Sequence, residues 1–280
     1  MLSYRHAFHA GNHADVLKHL VSMQLLRYMM RKEKPISYID THAGAGAYLL
    51  REGYASKNAE YETGISRLWE RKDLPKSVAE YVELIRALNP SGQLKRYPGS
   101  PLLAKRVTRR TDTLQLFELH PADHKLLKQN FVNSKNVKIH KEDGLGGLKA
   151  LLPPLSRRGI TLIDPPYEHN SEYTHVVNAL KDSLERFANG IYAVWYPLLQ
   201  KRASQLLPQQ LKGLPIESWL HVTLTVEAPS DDGFGMHGSG MFVINPPWTL
   251  LKTLQEAMPY LAEHLGQDSE AGFELEHHIP

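Results

Sequence analysis

The residues with the most specific chemistry are Asp164-Pro165-Pro166-Tyr167. The exocyclic amine of adenine is a poor nucleophile, because its lone pair is delocalised into the ring. A carboxylate at Asp164 can accept one N–H of such an amine, and the carbonyl of Pro165 can accept the other. Those two bonds favour a pyramidal nitrogen with its lone pair aimed at an incoming methyl group. The two prolines hold φ near about −65° and so fix the aim of that carbonyl. Tyr167 offers a flat face on which a base can stack. Asp164 is also placed to take the proton that a methylated nitrogen must lose. The same four residues also suit a tight turn after a strand, so the chemical reading depends on their companions.

Asp40-Thr41-His42-Ala43-Gly44-Ala45-Gly46 is the first companion. Small residues let the backbone come close to a cofactor, with Gly44 and Gly46 as the candidates. In dinucleotide folds an acidic residue lies about 20 residues past the glycines and grips a ribose. Here the candidate is Glu118, displaced by a long interval. Asp143-Gly144 can accept the amine of a cofactor's adenine and give its ring room, although Asp-Gly alone is a turn signal. The Ser100 hydroxyl, in Tyr97-Pro98-Gly99-Ser100-Pro101, can bond a cofactor's carboxylate or amine. The first nineteen residues hold Tyr4, Arg5, His6, Phe8, His9, His13, Lys18 and His19. His9 and His13 have the spacing of zinc ligands on one helix face, but no Cys and no paired acid accompany them, and Asn12 interrupts a helix. We therefore expect no metal. The segment reads instead as a lid over cofactor and substrate, with aromatics for stacking and cations for phosphate or carboxylate. A related motif, Asn245-Pro246-Pro247-Trp248, ends the last strand and reads as a structural turn.

Strand-like runs lie at 36–41, 114–118, 137–140, 160–164, 191–196, 219–227 and 241–245. Helical spacing fills most of the intervals. Leu17, Leu20, Val21, Leu25, Tyr28 and Met29 share a face after a cap at Asn12 or Asp15, and Val176, Val177, Leu180, Leu184 and Phe187 share another. Alternation of this kind predicts crossover connections and a largely parallel sheet. Residues 228–240 are only a loop rich in Gly and Asp, so the last two strands should form a hairpin, and one edge of the sheet should hold an antiparallel strand. Residues 48–97 exceed what a crossover needs and carry amphipathic helical patterns of their own, one with Val78, Val82, Ile85 and Leu88 on a single face. We expect a helical subdomain inserted there, with 1–47 and 98–280 forming the main domain. Residues 49–62 suit a mobile connector.

Composition sets the outer limits. With 42% hydrophobic and 22% charged residues the chain resembles an ordinary globular protein, and the absence of Cys excludes disulfides and thiol chemistry. No run of apolar residues is long enough to span a membrane, and the polar N-terminus lacks the apolar run of a secretory signal. A cytoplasmic home is expected. The net charge of +3 permits nucleic-acid binding. The pairs Lys95-Arg96, Lys105-Arg106, Arg109-Arg110, Arg157-Arg158 and Lys201-Arg202 are candidates for phosphate contacts or for a solvated surface.

With these pieces in order, the chain resembles the class I adenine-N6 methyltransferases, and more closely the bacterial 23S ribosomal RNA adenine-N6 methyltransferase family RlmJ. The resemblance is carried by MLSYRHAFHAGNHADVLKH, IDTHAGAG, RYPGSP, ELHP, DG, RRGITLIDPPY, GIYAVWYP and SGMFVINPPW, which run from the first residue into the last third. It implies a seven-stranded Rossmann-like sheet, mostly parallel with one antiparallel strand, plus the small inserted helical subdomain. It implies S-adenosylmethionine as cofactor, held by His19, His42, Ser100, Glu118, Asp143, Gly144 and Asp164, with Lys18, Gly44 and Gly46 beside them. Asp164 is then the proton acceptor, with Pro165 and Tyr167 completing the catalytic turn. Tyr4 and His6 face the RNA. The implied partner is 23S rRNA, with no obligate protein partner and a monomeric enzyme. Residues 200–229 and the tail after 266 are the least similar. Three rivals remain: an adenine methyltransferase acting on DNA, a nicotinamide-dependent dehydrogenase on a related fold, and a non-catalytic RNA-binding scaffold.

Overall fold

The computed structural model describes residues 5–50 and 58–279. Its main sheet has eight strands in the order β10-β8-β9-β7-β6-β1-β4-β5. They are β1 Ser37–Asp40, β4 Thr113–Phe117, β5 Val137–His140, β6 Gly159–Ile163, β7 Ile191–Leu198, β8 Trp219–Thr225, β9 Gly238–Ile244 and β10 Gly272–His278. A separate ribbon pairs β2 Ala47–Leu49 with β3 Arg96–Pro98. The helices are α1 His13–Met29, α2 Ser66–Trp69, α3 Lys76–Arg86, α4 Ser100–Val107, α5 Pro121–Asn130, α6 Gly144–Leu151, α7 Asn170–Arg186, α8 Arg202–Lys212 and α9 Trp248–Leu265.

β5, β4, β1, β6 and β7 are all parallel, so their C-terminal ends share one edge. β1 and β6 sit in the middle and are buried along their whole length. Burial on both faces fits the nearly continuous apolar run of β6, whereas β1 carries Ser37 and Asp40 at its ends. β9 returns antiparallel beside β7, and β8 pairs with β9 as a hairpin. The expected hairpin is therefore present, but its place needs correction. β9 slots between β7 and β8, and the edge belongs to β10, which lies antiparallel on β8. The sheet has eight strands rather than seven, and β9 and β10 both run against the parallel set.

α1 begins where Asn12 accepts a hydrogen bond from the Asp15 amide at 2.9 Å, which ends the choice between the two caps. The predicted apolar face of α1 is buried, but so are Val16, Met23 and Leu26 on other sides. The helix is covered nearly all round, and this places the polar His13, Asp15, Lys18 and His19 in the interior. Such groups persist in a core only when partnered, and their partners form part of the site below. α3 buries Val78, Val82 and Ile85 as its spacing predicts. α7 buries Val176, Leu180 and Leu184. Part of the expected connector, residues 51–57, lies outside the described residues.

Candidate active site

Four strand ends meet at one cleft of about 210 Å³. After β1 the chain turns through Thr41–Gly44 and is strapped to both neighbouring strands. Thr41 N donates to the Leu162 carbonyl at 3.1 Å, and Ala43 N to the Phe117 carbonyl at 2.8 Å. Gly44 takes φ +59°, and an added Cβ would lie 2.4 Å from the Tyr48 hydroxyl. Its amide donates to Glu118 Oε2 at 2.8 Å, and the His120 amide donates to Oε1 at 2.6 Å. Glu118 is thus aimed at the glycine turn by two backbone donors. Burial nonetheless pushes its pKa up to about 7.

The end of β5 contributes Asp143 and Gly144. Asp143 caps α6, accepting from Leu145 N at 3.3 Å and Gly146 N at 2.9 Å. Its carboxylate is therefore partly engaged by the helix while it lines the cleft. An added Cβ on Gly144 would sit 2.1 Å from the Thr41 carbonyl oxygen, so only glycine fits between β1 and α6. Ser100 opens α4, is 7% exposed, and hydrogen-bonds Asp40. Asp40 also accepts from the Tyr38 hydroxyl at 3.0 Å, and burial pushes its pKa up to about 6.

β6 ends at Asp164, where an ion-pair chain begins. Lys18 Nζ lies 2.5 Å from Asp164 Oδ2 and 3.0 Å from Asp15 Oδ1. Asp15 is fully buried and also accepts from Gly11 N at 2.9 Å and pairs with His6 Nε2 at 3.0 Å. Burial alone would raise the Asp15 carboxyl, but His6, Lys18 and His19 around it hold it well below the usual carboxylate range. Asp164 behaves in the opposite way. Burial raises it, and Lys18 and His6 only partly offset that. Two carboxylates on one lysine are thus driven apart, one lowered and the other raised relative to an ordinary aspartate.

His19 and His42 also border the cleft. Burial pushes His19 down to about 3 and His42 down to about 4, so both are neutral imidazoles near pH 7. His19 Nδ1 pairs with the Tyr97 hydroxyl at 2.9 Å, while its buried Nε2 has no hydrogen-bond partner among the described residues. An unpartnered polar atom on a cleft wall, glycines with no room for a side chain, and a carboxylate clamped by backbone amides all fit a bound nucleoside-type cofactor.

The cleft is lined by His6, Lys18, His19, His42, Gly44, Ser100, Glu118, Asp143, Gly144 and Asp164. Three expectations need correction. Gly46 does not line it: at φ +81° it turns the loop, and an added Cβ would meet Leu127 at 2.9 Å, so it packs against α5. Tyr167 is 2% exposed, and its hydroxyl donates to the Trp195 carbonyl at 2.9 Å. Its ring packs on Tyr173 and Trp195. It anchors the turn from below and offers no open face to a base, because its φ of +52° swings it into the core. The Pro165 ring is buried and Pro166 borders the cleft, so the backbone carbonyl of Pro165 is its remaining candidate contact to a substrate. Tyr4 lies outside the described residues. His9 precedes the helix that begins at His13 and pairs with Glu60 at 2.9 Å, so the two do not share a helix face.

Sequence reasoning offered Asp15 only as a possible helix cap and assigned no role to Asp40. The signal for Asp15 was its helical spacing to Lys18 and His19, which makes the three neighbours around one turn.

Comparison with known proteins agrees with the geometry. Residues 33–278 match the family model "Ribosomal RNA large subunit methyltransferase D, RlmJ". The chain belongs to this family. A relative in Escherichia coli (strain K12), named ribosomal RNA large subunit methyltransferase J, is 46% identical over 95% of this chain and 94% of its own length. A relative of the same name in Haemophilus influenzae is 45% identical over 99% of this chain and 98% of its own. A crystal structure of a protein from Legionella pneumophila str. Philadelphia 1 superposes with a TM-score of 0.88 at 34% identity, covering 96% of this chain and 98% of that one. Family membership and the fold leave the dehydrogenase and the bare scaffold without support.

Proposed function

We propose that the protein uses S-adenosylmethionine to methylate the N6 amine of an adenine in 23S rRNA. The observation that carries this is Asp164. It is a largely buried carboxylate of raised pKa, its side chain 11% exposed, at the end of a central strand, followed by two prolines and bordered by a cleft with nucleoside-type contacts. The relatives named as ribosomal RNA methyltransferases support the substrate class.

Bound S-adenosylmethionine would supply an electrophilic methyl group. Glu118 would accept the ribose hydroxyls, His19 Nε2 would take a polar group of the cofactor, and Asp143 with Gly144 would receive its adenine. Lys18 holds one Asp164 oxygen, leaving the other to accept an N–H of the substrate amine; the Pro165 carbonyl takes the second N–H. Removing charge density from the amine hydrogens directs the nitrogen lone pair at the methyl donor. Asp164 then takes the proton lost on methylation, a role that its raised pKa favours. Asp15 keeps the Lys18 ammonium paired once Asp164 becomes neutral, so the proton transfer strands no buried charge.

His6, which lines the cleft, would contact the RNA, and the same role is proposed for Tyr4 from the resemblance. The inserted segment 48–97 would act as a unit beside the main domain. We read the enzyme as a cytoplasmic monomer without an obligate protein partner; among the described residues no helix is long and apolar enough to cross a membrane. The test is transfer of labelled methyl to unmodified 23S rRNA against DNA of matched sequence. Label in the RNA alone is the expected result. Equal label in DNA would favour the DNA methyltransferase reading.

A further inference from the structure

The Asn245-Pro246-Pro247-Trp248 turn is not part of the cleft. It follows β9, which runs against the parallel strands, so it lies at the opposite end of the sheet. Asn245 Nδ2 donates to the Ala188 and Gly190 carbonyls, both at 2.7 Å, and so ties the turn down. This leaves Trp248 facing outward, 71% exposed, where Tyr167 in the similar motif is buried. Beside it lies a groove bordered by Arg31, Lys32, Arg157 and Arg158, with Tyr28 and Trp248 as its aromatics and, among the described residues, no Asp or Glu in its wall. The Arg31 guanidinium stands 6.0 Å from the Trp248 ring centroid and 5.6 Å from that of Tyr28. Arg158 is committed to the fold, donating to the Met29 carbonyl at the end of α1 at 2.8 Å. Arg31, Lys32 and Arg157 pair with no carboxylate among the described residues.

We propose that this groove is a second RNA-binding surface, which holds a segment of the rRNA substrate away from the target adenine. The inference rests on the rRNA reading given above. The chemistry is that of single-stranded RNA recognition. Unpaired cations neutralise phosphates, and an exposed indole backed by a guanidinium gives a base a stacking platform. β6 links the two sites directly, from Gly159 at the groove to Asp164 in the cleft. At about 3.3 Å per residue the separation is ~17 Å. Only an RNA longer than the nucleotides around the target can fill both.

The experiment measures binding of 23S rRNA fragments of increasing length to the full chain over a range of salt concentrations. The proteins are wild type, the double variant Arg31→Ala/Arg157→Ala, and Trp248→Ala with Trp248→Phe as the conservative control. The double variant should bind long fragments at least about tenfold more weakly and lose about 1.5 units of salt slope, at ~0.7 per phosphate on single strands. Trp248→Ala should weaken long fragments and Trp248→Phe should largely restore them. S-adenosylmethionine affinity and kcat at saturating RNA should not change. Affinity and salt slope unchanged at every length, in variants with wild-type melting temperature, would overturn the proposal. So would a self-association lost in Trp248→Ala with RNA binding intact, which would make the groove a contact between copies. Failure of the wild type to bind or methylate any rRNA would overturn the rRNA reading itself and so is distinguishable.

Discussion

At the scale of single residues, the site works by setting two carboxylates on one lysine to different tasks. Asp15 is fully buried, ionised and structural, whereas Asp164 borders the cleft, keeps some exposure and is raised in pKa. Asp164→Asn should therefore nearly abolish turnover while S-adenosylmethionine binding stays within about tenfold, or ~1.4 kcal/mol, as calorimetry would show. The amide can still accept one N–H but is a poor proton acceptor. Glu118 yields a pH prediction. Its pKa of about 7 means that it is protonated in slightly acid solution, whereas two ribose hydroxyls call for an ionised acceptor. Cofactor affinity should rise with pH up to about 7 and then level off, and Glu118→Gln should flatten the profile. A pH-independent wild-type affinity would remove Glu118 from the ribose position. Most of these residues were legible in the sequence because their types at successive strand ends have few uses. The role of Tyr167 was not, because the motif does not reveal a positive φ. The role of Asp15 was not, because a carboxylate on an apolar helix reads as a cap until its burial is seen.

At the scale of elements, the predicted strands of the main sheet are all present; β6, β7 and β9 carry long buried runs, and β5 is legible from its alternation of Val137 and Ile139 with polar residues. β2, β3 and β10 went unseen for the complementary reason. β10, Gly272–His278, has at most partly buried residues, so it carries little apolar signal and is held mainly by its ladder to β8. β2 and β3 are three residues each, too short for any period to register. The junction of β1 and α6 is the tightest of the site. Gly144→Ala would press a methyl onto the Thr41 carbonyl. It should destabilise the fold by ~1–3 kcal/mol, as overpacking does, and weaken cofactor binding, because the same backbone lines the cleft. Urea denaturation and calorimetry on one preparation check both. Wild-type values in both would mean that the junction has room to relax.

At the scale of the whole molecule, the unusual cost is a polar cluster inside the fold, centred on α1. Much of it must stay neutral. Burial holds His13 and His42 down to about 4 and His19 to about 3, and it lowers His221 and His237 as well. For each of these the unfolded chain binds more protons between the folded value and about 6.5, so stability falls as pH drops through that window. Glu118 and Asp40, raised to about 7 and about 6, act in the opposite sense, because the folded form holds their protons where the unfolded chain has released them. The histidines outnumber the carboxylates, so the melting temperature should fall between pH 6.5 and 4.5, with net proton uptake on unfolding. A melting temperature that rose over that range would show that some of these imidazoles are charged in the fold.

The central claim is that the cleft carboxylate at the end of β6, Asp164, drives methylation of an adenine amine in rRNA. Nucleoside mass spectrometry of unmodified 23S rRNA, after incubation with S-adenosylmethionine and either wild type or Asp164→Asn, tests it most directly. The account predicts N6-methyladenosine at a single site with the wild type and essentially none with the variant, both proteins being folded and both binding cofactor. Methyl on any other nucleoside atom, or an Asp164→Asn protein with half the wild-type yield, would contradict it.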